Sequence, residues 1–317
     1  MDGSQFNRRM TGAKFFILLE EGELYGSEKG CPFAFDCNGV EYRVRDLEFF
    51  FARGQSIPPI KFEVDPFWPK PLPDDWVTGN VGGTCVDAND HVFIVSRTAD
   101  PTNLTNAEKE IAKPAPPVIE FDPEGNVVNS WGDPKVVPGG IHDCYFDNEG
   151  NLWIGGNADA IAQKYSHDGK LLLQIGTKGK FDTSDGTMKG NALNSSHTLL
   201  NRPASFAVDP ANAEVYIADG YGNRRIVVFD RNGTYIRQFG RQATQSESEA
   251  GIGAAFLTVV HCVALSSDGL LYVCDREGKR IQVFDKMGNF KKNIFLKRRR
   301  ADLSGRRTAL VDPFLFG

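Results

Sequence analysis

No apolar stretch in this 317-residue chain approaches the ~20 residues that a membrane-spanning helix needs, so a transmembrane helix is not expected. A secretion signal is missing as well. Phe15-Phe16-Ile17-Leu18-Leu19 is the only apolar run near the start, and it passes directly into Glu20-Glu21. As written, the chain is expected in the cytoplasm. No CxxC pair occurs among the six cysteines, which removes support for a zinc ribbon. Cys85, Cys144, Cys262 and Cys274 lie inside apolar strand-like runs and read as reduced core cysteines. An excess of positive charge is also lacking: the net charge is −5, which argues against a nucleic-acid surface over the body. The basic residues gather at the end, in Lys297-Arg298-Arg299-Arg300 and Arg306-Arg307, and such a run reads as a solvated tail.

What the chain does contain is 33 glycines, 17 prolines and 23 phenylalanines, a combination that suits many short strands joined by tight turns. Four segments repeat one pattern. Their first halves are GGTCVDANDHVFIVSR (82–97), IHDCYFDNEGNLWIGG (141–156), ASFAVDPANAEVYIADG (204–220) and HCVALSSDGLLYVCDR (261–276). Their second halves are VIEFDPEGNVVNSWG (118–132), AQKYSHDGKLLLQIG (162–176), RIVVFDRNGTYIRQFG (225–240) and RIQVFDKMGNFKKNI (280–294). Alternating apolar positions imply half-buried strands, and the Asp/Asn-Gly pairs imply hairpins. Each copy therefore predicts four antiparallel strands. A period of about 55 to 64 residues, with units that bury their faces only by stacking, points to an all-β propeller.

Outside the repeat, residues 1–57 show no blade pattern, 58–296 hold the propeller, and 297–317 form the basic tail. Ile60–Val64 is read as an outer closing strand. Thr105-Asn106-Ala107-Glu108 is a capping box that predicts a short helix inside the 98–116 insertion. Residues 177–199 are polar and glycine-rich, as in a long loop over one face.

The repeat register also selects candidate site residues. Take the residue at the turn after the first strand as a marker: Asp87, Asp147, Asp209 and Ser266. Five residues earlier stand Gly82, His142, Ala204 and His261, so two of the five histidines share one register. In a six-fold ring, a third histidine from a sixth blade would complete a tripod with an open position, the arrangement of a catalytic zinc. Arg97 and Arg276 hold equivalent corners between the second and third strands, and Tyr221 lies at that corner of the third repeat. Arginines so placed would clamp a carboxylate. The same residues also read as ordinary lining of a channel. Arg225 and Arg280, which begin third strands, are expected to brace their blades.

These residues carry a resemblance. DGYGNRRIVVFDRNGTYIRQFG (219–240), HCVALSSDGLLYVCDREGKRIQVF (261–284) and IHDCYFDNEGNLWI (141–154) resemble the NHL-repeat propellers, and among them the peptidyl-α-hydroxyglycine amidating lyases and their bacterial relatives. The similarity covers roughly residues 60–296. It implies a six-bladed propeller with a zinc on three histidines, cleaving the C–N bond of a peptidyl hydroxyglycine to a peptide amide and glyoxylate. It further implies His142 and His261 as zinc ligands and Tyr221 as the base. Arg97 and Arg276 become the partners of the substrate carboxylate and the tyrosine. Zinc would polarise the substrate hydroxyl, and neighbouring cations favour an ionised tyrosine.

The departures set an expectation too. The family's third histidine, and the aspartate beside it that helps hold calcium, belong to a last blade absent from these four repeats. Gly222 follows Tyr221, and Tyr272 and Val283 stand where a family disulfide falls. The chain is thus expected to be a shortened form of a longer secreted protein, and an incomplete or inactive lyase. The alternative is a non-catalytic propeller binding a protein or peptide partner. A lactonase-like hydrolase would need an acidic calcium cluster at the channel, and the sequence offers none there.

Overall fold

In the computed structural model, residues 63–97, 105–183 and 193–296 are described. The expectations for 1–57, for Ile60–Phe62 and for the tail 297–317 lie outside them. Residues 67–296 fall in one compact unit; of a second, spanning 14–66, residues 63–66 are described. There the sequence reading needs correction. Glu63 and Val64 are irregular and exposed rather than part of a closing strand.

Four blades follow one another, each a four-stranded antiparallel sheet in chain order. The first comprises Val81–Val86, Val92–Ser96, Val118–Phe121 and Val127–Trp131. The second comprises Ile141–Phe146, Leu152–Gly156, Ile161–Tyr165 and Leu171–Ile175. Pro203–Val208, Val215–Asp219, Arg225–Phe229 and Tyr235–Phe239 form the third. The fourth is built from Val260–Leu265, Leu270–Asp275, Arg280–Asp285 and Phe290–Phe295.

The hairpins form because their turns satisfy themselves. In the first blade, Asp87 Oδ1 accepts the backbone N–H groups of Asn89 and His91 at 2.8 and 2.9 Å. Asp147 does the same for Glu149 and Asn151 at 3.0 and 2.9 Å. Such local acceptors offer the backbone a ready turn. At the outer hairpins, Gly125, Gly169, Gly233 and Gly288 take φ between 81° and 90°, where a side chain would be strained. The expected short helix is present over Asn106–Ile111, with Thr105 and Glu108 closing a capping box.

Three apolar layers join the blades. Phe93, Val95 and Val118 pack on Ile141, Leu152 and Ile154. Trp153 and Ala162 meet Phe206, Ile217 and Val227. Tyr216, Ile226 and Val228 meet Val263, Leu271 and Phe284. Each layer draws on two blades, because a single sheet cannot bury both of its faces. Trp68, Leu72 and Trp76 pack against Ile119 and Phe121 of the first blade. Among the described residues, no helix is long and apolar enough to cross a membrane.

The cysteines correct the sequence reading. Cys85 pairs with Cys144 across the inner strands of the first two blades, and Cys262 with Cys274 across a hairpin. Alternation that buries a cysteine also places it against the cysteine of the neighbouring strand, at Cα separations of 5.8 and 4.9 Å, within the usual disulfide range.

Candidate functional site

His142 is the second residue of its inner strand. Its Nδ1 lies 2.9 Å from the carbonyl oxygen of Ala204 in the next blade. A carbonyl only accepts, so Nδ1 carries the proton and Nε2 keeps its lone pair. An imidazole tethered in this way by one nitrogen is oriented to act as a ligand or acceptor with the other. His261 occupies the same place in Val260–Leu265, and the two ring centroids are 5.0 Å apart.

Tyr221 reaches these rings because its corner is pinned. A Cβ on Gly220 would lie 2.1 Å from the Val260 carbonyl oxygen, so the glycine lets the corner rest on the fourth blade beside His261. On either side of the corner, Asp219 and Asn223 are fully buried and joined at 2.7 Å. Arg225 binds Asp219 at 2.9 Å and Asp182 at 3.2 Å, which makes it the expected brace. Arg280 holds Asp275 at 2.9 Å in the fourth blade in the same role.

The result is one convergence. The Tyr221 hydroxyl lies 3.0 Å from His142 Nε2, 3.2 Å from His261 Nε2 and 3.2 Å from Arg276 Nη1. The guanidinium of Arg276 also stands 5.3 Å from the tyrosine ring centroid. Arg97 is placed differently. Its Nε donates to the Ile141 carbonyl at 2.7 Å and so ties the first blade to the strand that carries His142. Arg276 has a partner that the sequence reading missed, although it is the adjacent residue. Its Nε and Nη2 donate to Glu277 at 3.0 and 2.9 Å, which leaves Nη1 for Tyr221.

Electrostatics keeps both imidazoles neutral. Burial pushes His142 below the ordinary histidine range, and the positive charges of Arg97 and Arg276 push the same way. Burial, with His142 and Arg276 adding to it, lowers His261 from 6.5 to about 4. An unfolded chain takes up these protons first, so the stability these groups contribute is present above about pH 6.5 and is lost as pH falls toward 4. In side-chain NMR of the metal-free chain, His261 is expected to titrate with a midpoint near 4, and Arg276→Ala to raise that midpoint. A midpoint near 6.5 in the unaltered chain would contradict this electrostatic account. Among the described residues, no third His, Cys, Asp or Glu joins His142 and His261 in a ligand group.

The fourth blade carries the one match to a family model. Residues 257–284 match the model of the NHL repeat. This chain carries an NHL repeat in one blade of a β-propeller. It is similar to NHL repeat-containing protein 3 of Homo sapiens, with 28% identity over 244 residues covering 75% of this chain and 60% of that protein. Its similarity to peptidyl-glycine alpha-amidating monooxygenase B of Xenopus laevis is 31% over 157 residues, 48% of this chain and 16% of that one. With peptidyl-alpha-hydroxyglycine alpha-amidating lyase 1 of Drosophila melanogaster it shares 28% over 173 residues, 53% of this chain and 29% of the relative. The chain spans less than two thirds of the length of each of these three relatives.

Proposed function

We propose that the Tyr221 cluster is a lyase-type site for peptides ending in hydroxyglycine, kept in this chain in a form that binds the peptide terminus but turns it over poorly. The observation that carries this reading is the meeting of two neutral imidazole Nε2 atoms and one guanidinium on a single phenol oxygen. Similarity to an amidating lyase supports the same substrate class.

A zinc ion fits these residues in part. His142 and His261 would hold it, His142 with its backbone tether already in place. Zinc bound there would polarise the substrate hydroxyl. Tyr221 is placed to accept a proton at its oxygen, and Arg276 to steady the charge on it. Two imidazoles alone leave a zinc ion short of the three protein ligands of a catalytic site, and that is why turnover is poor. The two disulfides suit an oxidising compartment.

A second reading rests on Glu277. With its carboxylate already on Arg276, the mouth would serve as a peptide-docking surface without chemistry. Calorimetry of the chain with a hydroxyglycine-terminated peptide and with the matching peptide amide separates the two. The lyase-type reading expects the acid to bind at least about tenfold more tightly, because a carboxylate gains charge-assisted bonds that an amide does not. It expects that preference to shrink in Arg97→Ala. Equal affinities for acid and amide would remove the lyase-type reading.

A further inference from the structure

At the end of the blades away from Tyr221, the turns after the first three inner strands each meet the outer hairpin of the next blade. At two of these meetings the cation is permanent. Lys286 of the fourth blade binds Asp209 of the third at 2.6 Å. Arg231 of the third blade binds Glu149 of the second at 2.6 Å. Inside the second blade, Lys164 on the third strand binds Asp147 at 2.9 Å.

The first meeting differs in two residues. The residue at the position of Arg231 and Lys286 is His167, 3.2 Å from Asp87. The residue at the position of Lys164 is Glu120, so a second carboxylate faces Asp87 where the second blade has a lysine and the third and fourth have Val228 and Val283. His91 Nδ1 lies 2.6 Å from Glu120 Oε1, and His167 Nε2 lies 3.6 Å from the same oxygen. The Asp87 and Glu120 side chains are each 4% exposed. Among the described residues, their ion-pair partners are imidazoles alone. Two buried carboxylates without a fixed cation are costly unless positive charge reaches them.

The geometry points to the source of that charge. Donor atoms of Asp87, His91 and Glu120 lie within 4.8 Å of one another, and His167 stands at the edge of that group, beside Asp87 and Glu120. A tetrahedral zinc with bonds of about 2.1 Å sets its donors about 3.4 Å apart, inside the 2.6–3.6 Å spread of the imidazole–carboxylate distances. The cluster is also held from behind. Asp87 Oδ1 is engaged by two backbone N–H groups, which turns Oδ2 toward His167. The edge-to-face contact of His167 with Phe93, at 5.2 Å, fixes the ring. We propose that Asp87, His91 and Glu120, with His167 drawn in from the edge of the group, bind a divalent transition-metal ion of the zinc type, which staples the first and second blades at the end opposite the Tyr221 mouth. Two nitrogens and two carboxylate oxygens balance a doubly charged cation, and the imidazoles select against magnesium and calcium.

The test keeps the two imidazole clusters apart. The full chain carrying His142→Ala and His261→Ala is titrated with zinc alone, then with cobalt as a spectroscopic substitute. One equivalent of zinc should stay bound through dialysis, and cobalt should give the visible absorption of a four-coordinate nitrogen–oxygen site. The chain carrying His91→Ala and His167→Ala should lose that equivalent. Glu120→Gln, which preserves shape, should weaken zinc by roughly tenfold or more, with its far-ultraviolet circular dichroism unchanged. Absence of retained zinc from the His142→Ala/His261→Ala chain overturns the proposal. Full retention in both the His91→Ala/His167→Ala and the Glu120→Gln chains overturns it as well.

Discussion

Replacing Arg225 with alanine is expected to cost about 3–5 kcal/mol of folding stability, the range for breaking a buried ion pair from one side. The side chain is wholly buried and so are both of its partners, Asp219 and Asp182. It also donates to the carbonyl oxygens of Ser196 and Leu199 at 2.7 and 2.9 Å and to Gln238. Removing it leaves two carboxylates in a dry interior with the amide of Asn223 as their shared donor. The damage extends to the site, because Asp219 and Asn223 flank the corner that presents Tyr221. Urea unfolding should show the lost stability, and the NMR midpoint of His261 should shift even where the variant remains folded. A loss below about 1 kcal/mol, the scale of an exposed pair, would mean that the network is not closed to water.

Removing the Cys85–Cys144 bridge by a double alanine substitution is expected to cost about 4 kcal/mol, from the entropy of closing a loop of its length in the unfolded chain. The two cysteines stand 59 residues apart and join different blades. Cys262 and Cys274 are 12 apart and already face each other in one hairpin, so the same model gives about 3 kcal/mol there. Guanidinium unfolding of each double variant, with the other bridge intact, compares them directly. A larger loss at Cys262–Cys274 would reverse the ranking and count against the blade-joining role of the first bridge.

The blades were legible because the repeat is self-indexing. Asp87, Asp147, Asp209 and Ser266 close their turns on their own backbones, and counting back from them put His142 and His261 at one level without reference to any fold. The Cys262–Cys274 pair was legible by the same count. The two cysteines lie four residues on either side of the turn from Ser266 to Leu270, and reading them as reduced core residues overlooked that symmetry. Cys85 and Cys144 were harder. Their pairing depends on the stagger between two blades, which Gly82 sets by allowing approach to within 2.2 Å of where a Cβ would meet the Ile141 oxygen. No pattern within a single repeat encodes that stagger. The clamp on the Tyr221 corner was hidden for a related reason, since Asp182 enters it from the long connector before the third blade, outside the repeated pattern. Glu120 and His167 were visible as departures from Lys164, Arg231 and Lys286. They stand out only once the end opposite the mouth is known to be built from ion pairs.

The claim that the Tyr221 cluster is a lyase-type site short of one metal ligand is tested most directly by glyoxylate release. The measurement uses the His91→Ala/His167→Ala chain, so that the mouth is the imidazole cluster left to bind zinc. A hydroxyglycine-terminated peptide is supplied with a fixed excess of zinc. The account predicts zinc that is lost on dialysis, and release that falls less than about tenfold in Tyr221→Phe, against the 10²–10⁴-fold that a working catalytic base contributes. Tightly held, one-to-one zinc with rapid release that collapses in Tyr221→Phe would contradict it. The mouth would then be a complete active site with a third ligand.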